Sequence, residues 1–438
     1  MKKRHSLILP FTVAVVFFLA AISTYIFNFT VRQYVAMYII AYIVFIVAFL
    51  KKAKSLKILF TSIEFFYITA FSIYAVMPSI QYIIDNGLQR LRFFSVTEYG
   101  IQTSMRWYYV VFLITSAIFL LFRYPKNKTI DVSIRQDLRH SRRGRSKVIF
   151  DLIAVTCLVM FFYSFFKNGI SFFFMDFAYR RKQANFPMQQ YVWLYMMVYS
   201  VEKICEVNFD KRVMKRSPQI VVIALFWVLS LLIDRRHFIP VVVAVALYCL
   251  LGKKRIDLKV LLAVVILVAA MVLYAVLRLG ISTSTLDLNT FIYQGFAEFI
   301  LTGYVTVYYA THAPSSYFLG RTYLWDTLTR VFPKAVFPWK PQDLAVVFMS
   351  SVLENKVGFA FNPIAEGYLN FGNWLVFFVP FFFILFIEIG YKLSKKIPLY
   401  YLLFCAYFLD FNRGQFSNCV FDIIFMYVIL FFMERVKV

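Results

Sequence analysis

Charge is scarce in this chain, and negative charge is scarcest. Of 438 residues only 16% are charged, and 22 Asp and Glu stand against 47 Lys and Arg. Soluble domains carry about a quarter charged residues, so a string of ordinary soluble domains is excluded. The five cysteines (Cys157, Cys205, Cys249, Cys405, Cys419) fall in or beside apolar runs. They have neither CxxC nor Cys/His spacing, which leaves no disulfide framework and no zinc motif. Walker A, GxSxG and HExxH are missing, and no Asp-x-Asp pair falls on an outer loop. ATP-driven chemistry and metal-dependent nucleotide-sugar chemistry lose ground accordingly.

What is abundant is apolar: 61% of residues are hydrophobic and 20% aromatic. They gather into runs, and a bilayer core of ~30 Å takes about 20 helical residues. The runs predict twelve spans, near 7–29, 34–50, 58–84, 107–122, 148–166, 191–209, 219–233, 239–252, 260–277, 373–390, 399–411 and 418–433. The opening MKKRHSLILPFTVAVVFFLAA has the charge-then-apolar order of a signal peptide. Its apolar run is long and many spans follow, so an uncleaved first helix is expected.

The loops test that count. MKKR, KKAKSLK (51–57), 123–147, 210–218, 252–259, 391–398 and the tail ERVKV hold 29 of the 47 Lys and Arg, and each carries a basic cluster. The alternate loops hold 17, with Lys203 inside a span. This alternation predicts that both termini are cytoplasmic. It also reads the net charge of +25 as topology, not nucleic-acid binding. The expected organisation is nine spans over 1–277, a large outer loop with interfacial helices over 278–372, and three spans over 373–438. The stretch FIYQGFAEFILTGYVTVYYA (291–310) is apolar enough for a thirteenth span, but accepting it would put the basic KLSKK segment outside. An amphipathic or re-entrant helix is expected there, with Glu298 facing protein or water.

Basic residues on the translocated side run against the insertion bias and need another reason. They are Arg180 and Arg181 in loop 167–190, Arg235, Arg236 and His237 in the tight turn DRRHF, and Arg278 and Arg321. A guanidinium fork matches phosphate oxygens and keeps its charge, so the set favours an anionic site over headgroup contacts or pairing with Asp176 and Asp234. Glu366, Asp343 and Glu298 are the outer carboxylates considered, and His237 and His312 the outer histidines. A base near a membrane lip could take the proton of an attacking sugar hydroxyl. An interfacial Glu is also often only a helix N-terminal charge. Glu202, Lys203 and Glu206 read as a local ion pair with snorkelling. Glu64 has no evident local partner.

Many spans, basic outer loops in the middle and late chain, and a late AEGYLNFG entering a helix resemble the O-antigen polymerase (Wzy) family. The motif-like part is FNPIAEGYLNFG (361–372). The resemblance implies a GT-C-like glycosyltransferase in the bacterial inner membrane, active at its periplasmic face in lipopolysaccharide or other polysaccharide biosynthesis. Donor and acceptor would both be undecaprenyl-diphosphate-linked oligosaccharides, with membrane lipid around them, a chain-length regulator as a candidate partner, and neither metal nor other cofactor. It implies a diphosphate held by Arg180, Arg181, Arg278 and Arg321. Glu366 would be base or hydroxyl orienter, and Asn362, Tyr368 and Asn370 would bond the acceptor sugar. Three rivals are an O-antigen ligase, disfavoured by Phe361 where ligases tend to carry His, a non-catalytic membrane partner in envelope assembly, which would need no converging Arg and Glu, and a lipid-linked oligosaccharide flippase. The 95-residue outer segment 278–372 weighs against the flippase.

Overall fold

The computed structural model describes residues 2–85, 96–123, 147–169, 188–209, 218–231, 237–252, 295–332, 336–353 and 360–435. Every regular element among them is helical. In chain order these are α1 (Lys2–Ile26), α2 (Val31–Ala53), α3 (Leu56–Phe60), α4 (Ile63–Ile84), α5 (Glu98–Phe122), α6 (Lys147–Asn168), α7 (Gln189–Phe209), α8 (Pro218–Leu231) and α9 (Phe238–Gly252). There follow α10 (Ala297–Thr311), α11 (Arg321–Arg330), α12 (Leu344–Ser351), α13 (Pro363–Phe371), α14 (Leu375–Lys396), α15 (Pro398–Ala406), α16 (Phe408–Phe411) and α17 (Phe416–Arg435). The expected span 260–277 lies outside the described residues.

Among the described residues, six stretches are long and apolar enough to cross a membrane: Ile8–Ile26, Val31–Ala53, Ile63–Ile84, Glu98–Phe122, Pro363–Lys396 and Phe416–Glu434. Val148–Tyr163, Val222–Leu231 and Phe238–Leu251 are shorter apolar helices. The expected span 399–411 is divided into α15, of nine residues, and α16, of four. Their outward faces carry large apolar side chains, among them Phe11, Leu19 and Ile22 on α1, Ile40 and Ile43 on α2, and Phe377 and Phe381 on α14. Such faces are stable against lipid tails and costly against water.

Local chemistry sets the helix starts. Thr30 and Gln33 form a reciprocal capping box at α2, with Thr30 N–H donating to Gln33 Oε1 at 2.8 Å. Ser62 caps α4, so the expected span 58–84 breaks at Thr61–Ser62. Thr97 caps α5. Each side-chain oxygen satisfies a backbone donor that the first turn leaves unpaired.

The chain divides into two compact units. The first comprises Met1–Lys126, Val265–Glu388 and Phe408–Phe421. Here α5 packs against α1, α2, α4 and α10, and α10 packs against α4. The middle of α10 is buried from Thr302 to Val307. An ideal Cβ on Gly303 would sit 2.1 Å from Pro78 Cγ, so glycine permits this close approach of α10 to α4. The far end of α5 is tied down by Lys52 Nζ, which donates to the carbonyls of Phe119 and Leu120 at 3.1 and 2.7 Å. Glu64 finds its partner here: Arg123 Nε donates to it at 2.7 Å, and Arg123 Nη1 bonds Glu388.

The second unit comprises Asn127–Val264, Ile389–Tyr407 and Asp422–Val438. In it α9 packs on α7 and α15. The polar knot in its helices is centred on Asp151, which accepts from Tyr199 at 2.6 Å and Gln219 at 3.0 Å and lies 3.4 Å from Lys203. The expected Lys203–Glu206 pair is present at 3.8 Å.

Candidate functional site

The stretch 361–372 folds as a short buried helix, and its sequence dictates that. Asn362 is the N-cap, Pro363 occupies the first turn, and Gly372 ends α13 at φ +55°. Asn362 Oδ1 accepts from the Ile364 and Ala365 amides at 3.1 and 2.9 Å and from Thr306 Oγ1 at 2.8 Å. Its Nδ2 donates to the Thr302 carbonyl at 2.6 Å. A carbonyl oxygen of this kind is strongly preferred at a helix start, and here it also ties α13 to α10.

Glu366 and Asn370, one turn apart, look toward α11. Thr322 Oγ1 donates to Glu366 Oε1 at 2.6 Å, and the Phe416 amide donates to Oε2 at 2.7 Å. Asn370 Nδ2 donates to Thr322 Oγ1 at 2.7 Å and to the Glu366 carbonyl at 2.8 Å. Asn362, Glu366 and Asn370 are each fully buried. Tyr368, two residues on from Glu366, points about 200° away around the helix. Its ring stacks on Trp107 of α5 at 4.5 Å. The expected acceptor-sugar set is therefore divided between two faces of α13.

Beside Glu366 lies a polar network that sequence reasoning did not assemble. Its hub is RGQFSN (413–418), the turn leading into α17. Arg413 Nη1 donates to Glu298 Oε2 at 2.7 Å. Gln415 accepts from the Leu344 amide at 2.9 Å and donates to Asp326 Oδ2 at 3.2 Å. Asn418 Nδ2 donates to both oxygens of Asp343 at 2.8 Å, and Arg330 donates to Asp343 at 2.9 Å. A signal for this hub was in view: a run of amides, a hydroxyl and an arginine between two strongly apolar stretches.

Three buried oxygens in this network accept or donate no hydrogen bond: Asp326 Oδ1, Ser417 Oγ and Asn418 Oδ1. Buried polar atoms are paired in the great majority of cases, so each of these oxygens keeps hydrogen-bonding capacity that the described residues do not fill. Arg321 Nε lies 3.8 Å from Asp326 Oδ1. Arg321 is half-exposed and also sits 4.8 Å from the centre of the Phe318 ring. Burial pushes the Asp326 carboxyl above its usual range, against the lowering effect of Arg321, Gln415 and Arg330. Burial, with Glu366 adding to it, raises the Tyr323 phenol well above its ordinary value, so Tyr323 stays neutral.

Of the sequence-named residues, the first unit brings together Glu366, Asn370 and Arg321, with Asn362 and Tyr368 on the same short helix but with other partners. His237 belongs to the second unit, where its ring stacks on Trp193 at 5.2 Å. Arg180, Arg181, Arg235, Arg236 and Arg278 lie outside the described residues.

Fold and site define an all-helical, multi-pass membrane protein with a buried acid–amide junction in its first unit. No family model, curated protein or solved structure matches the chain.

Proposed function

We propose that the protein polymerises lipid-linked oligosaccharide repeat units, as a GT-C-like glycosyltransferase of twelve spans acting at the outer face of a bacterial inner membrane. The observation that carries this reading is the pairing of Asp326 Oδ1, a buried carboxylate oxygen with no hydrogen bond, with the half-exposed Arg321 guanidinium 3.8 Å away. An acceptor hydroxyl and an anionic leaving group need those two functions side by side.

In this reading the acceptor sugar hydroxyl attacks the anomeric carbon of the donor glycan. The bond from that carbon to the lipid diphosphate breaks, and the diphosphate leaves with the electron pair. The hydroxyl proton passes to Asp326 Oδ1, whose raised affinity for protons suits a base. Arg321 neutralises the charge growing on the leaving diphosphate. Glu366 has both oxygens occupied, so its part is to orient: it fixes Thr322, Asn370 and the turn at Phe416, and through them the placement of Asp326.

The test is a gel of lipid-linked and surface glycan from cells lacking the protein, complemented with wild type, Arg321→Ala, Asp326→Asn and Glu366→Gln at matched expression. The reading expects glycan stalled at one repeat unit, a ladder restored by wild type, and little or no ladder from Arg321→Ala and Asp326→Asn. A full ladder from Arg321→Ala and Asp326→Asn would remove both from the site. Glycan that never reaches the outer face would point to a flippase, and long chains left on their lipid carrier to a ligase.

A further inference from the structure

A second polar feature of the first unit takes no part in the junction at Glu366. Where α1 gives way to α2, a cleft of about 260 Å³ opens between that turn and the start of α5. Its lining includes Asn28, Tyr34, Tyr99, Gln102, Thr103 and Arg106, with no carboxylate among the described residues; Glu98, one turn before Gln102, accepts from Gln102 Nε2 at 3.5 Å. Arg106 Nε is buried and makes no hydrogen bond, and Arg106 forms no ion pair among the described residues. Its guanidinium carbon lies 5.5 Å from the centre of the Tyr25 ring. Leaving a cation partly dehydrated without an anion is unfavourable. The walls nevertheless supply hydrogen-bond donors: two amides, a threonine hydroxyl and tyrosine phenols.

We propose that this cleft is a phosphate-binding site, in which Arg106 engages the anionic oxygens of a phosphate or phosphate ester and Gln102, Thr103 and Asn28 bond those that remain. A guanidinium presents paired N–H donors at the spacing of phosphate oxygens, and such charge-assisted bonds are about twice as strong as neutral ones. The cleft is larger than one phosphate group, so it accommodates the first atoms of whatever the phosphate esterifies. The inference rests on this cleft alone and holds whether or not the protein transfers glycosyl groups.

The experiment uses the purified full-length protein with two probes. Inorganic phosphate and pyrophosphate are titrated in neutral detergent by calorimetry. Phosphatidylglycerol is offered in phosphatidylcholine nanodiscs, and retained lipid is read by native mass spectrometry. At least one probe should bind, Arg106→Gln should weaken it about tenfold or more, and Arg106→Lys should restore part of the loss. Binding of the free anions marks a soluble phosphate ester as the occupant; binding of phosphatidylglycerol alone marks a lipid headgroup. Unchanged binding by Arg106→Gln, or no binding of either probe to wild type, overturns the proposal. If Arg106→Gln fails to give a monodisperse protein, Gln102→Leu with Thr103→Val decides instead, with several-fold weakening expected and no change overturning it.

Discussion

The backbone amide of Phe416 donates to Glu366 Oε2 at 2.7 Å, joining residues 50 apart in sequence inside a fully buried junction. A side chain that looks from sequence like a free reactive group is thus also the clasp that fastens α13 to the start of α17. Removing one acceptor strands two buried donors. Glu366→Gln keeps the shape but turns one acceptor into a donor, facing either Thr322 or Phe416. Thermal unfolding of the purified protein in detergent should report a loss of about 1–3 kcal/mol. Thr322→Val, which removes the hydroxyl itself, should make the further substitution of Glu366 cost less than it does alone. Additive losses would mean the two residues are not coupled.

Arg123 holds Glu64 and Glu388 in the first unit, and Glu64 is buried. Arg123→Leu takes from Glu64 the cation that is hydrogen-bonded to it and leaves only the longer-range field of Lys52. The expected cost is about 3–5 kcal/mol. The double variant Arg123→Leu, Glu64→Leu should recover part of the lost stability, because the buried Glu64 charge is removed together with its partner, while buried Lys52 loses the favourable field of that carboxylate. The check is the unfolding midpoint of the single and double variants side by side.

Gly303→Ala drives a methyl into the Pro78 ring, which cannot rotate away. Overpacking of this kind costs about 1–3 kcal/mol. The prediction is a lower unfolding midpoint and a lower yield of monodisperse protein. An unchanged midpoint would show that α10 and α4 can separate at no cost.

Asp326 titrates above the usual carboxylate range because of its burial. A folded-state value raised above the unfolded one contributes stability that is full at acid pH and is lost as pH rises through the folded value. Asp326→Asn lacks this loss. Its unfolding midpoint relative to wild type should therefore rise as pH increases upward from the ordinary carboxylate range, while a midpoint difference flat with pH would mean that the Asp326 carboxyl is not shifted on folding.

The spans were legible where apolar runs stood alone, as in α1, α2 and α17. The start of α5 was not: Glu98 to Arg106 are too polar for a hydropathy reading, yet they continue the helix from the cap at Thr97. The break at Thr61–Ser62 was hidden for the opposite reason, because one hydroxyl cap divides a run whose hydropathy does not fall. Asn362–Pro363 ahead of Glu366 is a helix-start pattern, and the cap it forms follows from it. Partners far apart in sequence could not be read at all. Glu64 meets Glu388 through Arg123, and Asp343 meets Asn418, across hundreds or tens of residues with no periodicity to announce them.

As proposed, the protein itself joins lipid-linked repeat units. The most direct measurement gives purified protein in nanodiscs a lipid-diphosphate-linked oligosaccharide repeat unit and resolves the products by gel. The expected result is a ladder of lipid-linked glycans with release of free lipid diphosphate, and its loss in Arg321→Ala and Asp326→Asn variants that still fold. Substrate left as a single repeat unit by a well-folded wild-type protein, with or without movement across the bilayer, would contradict it.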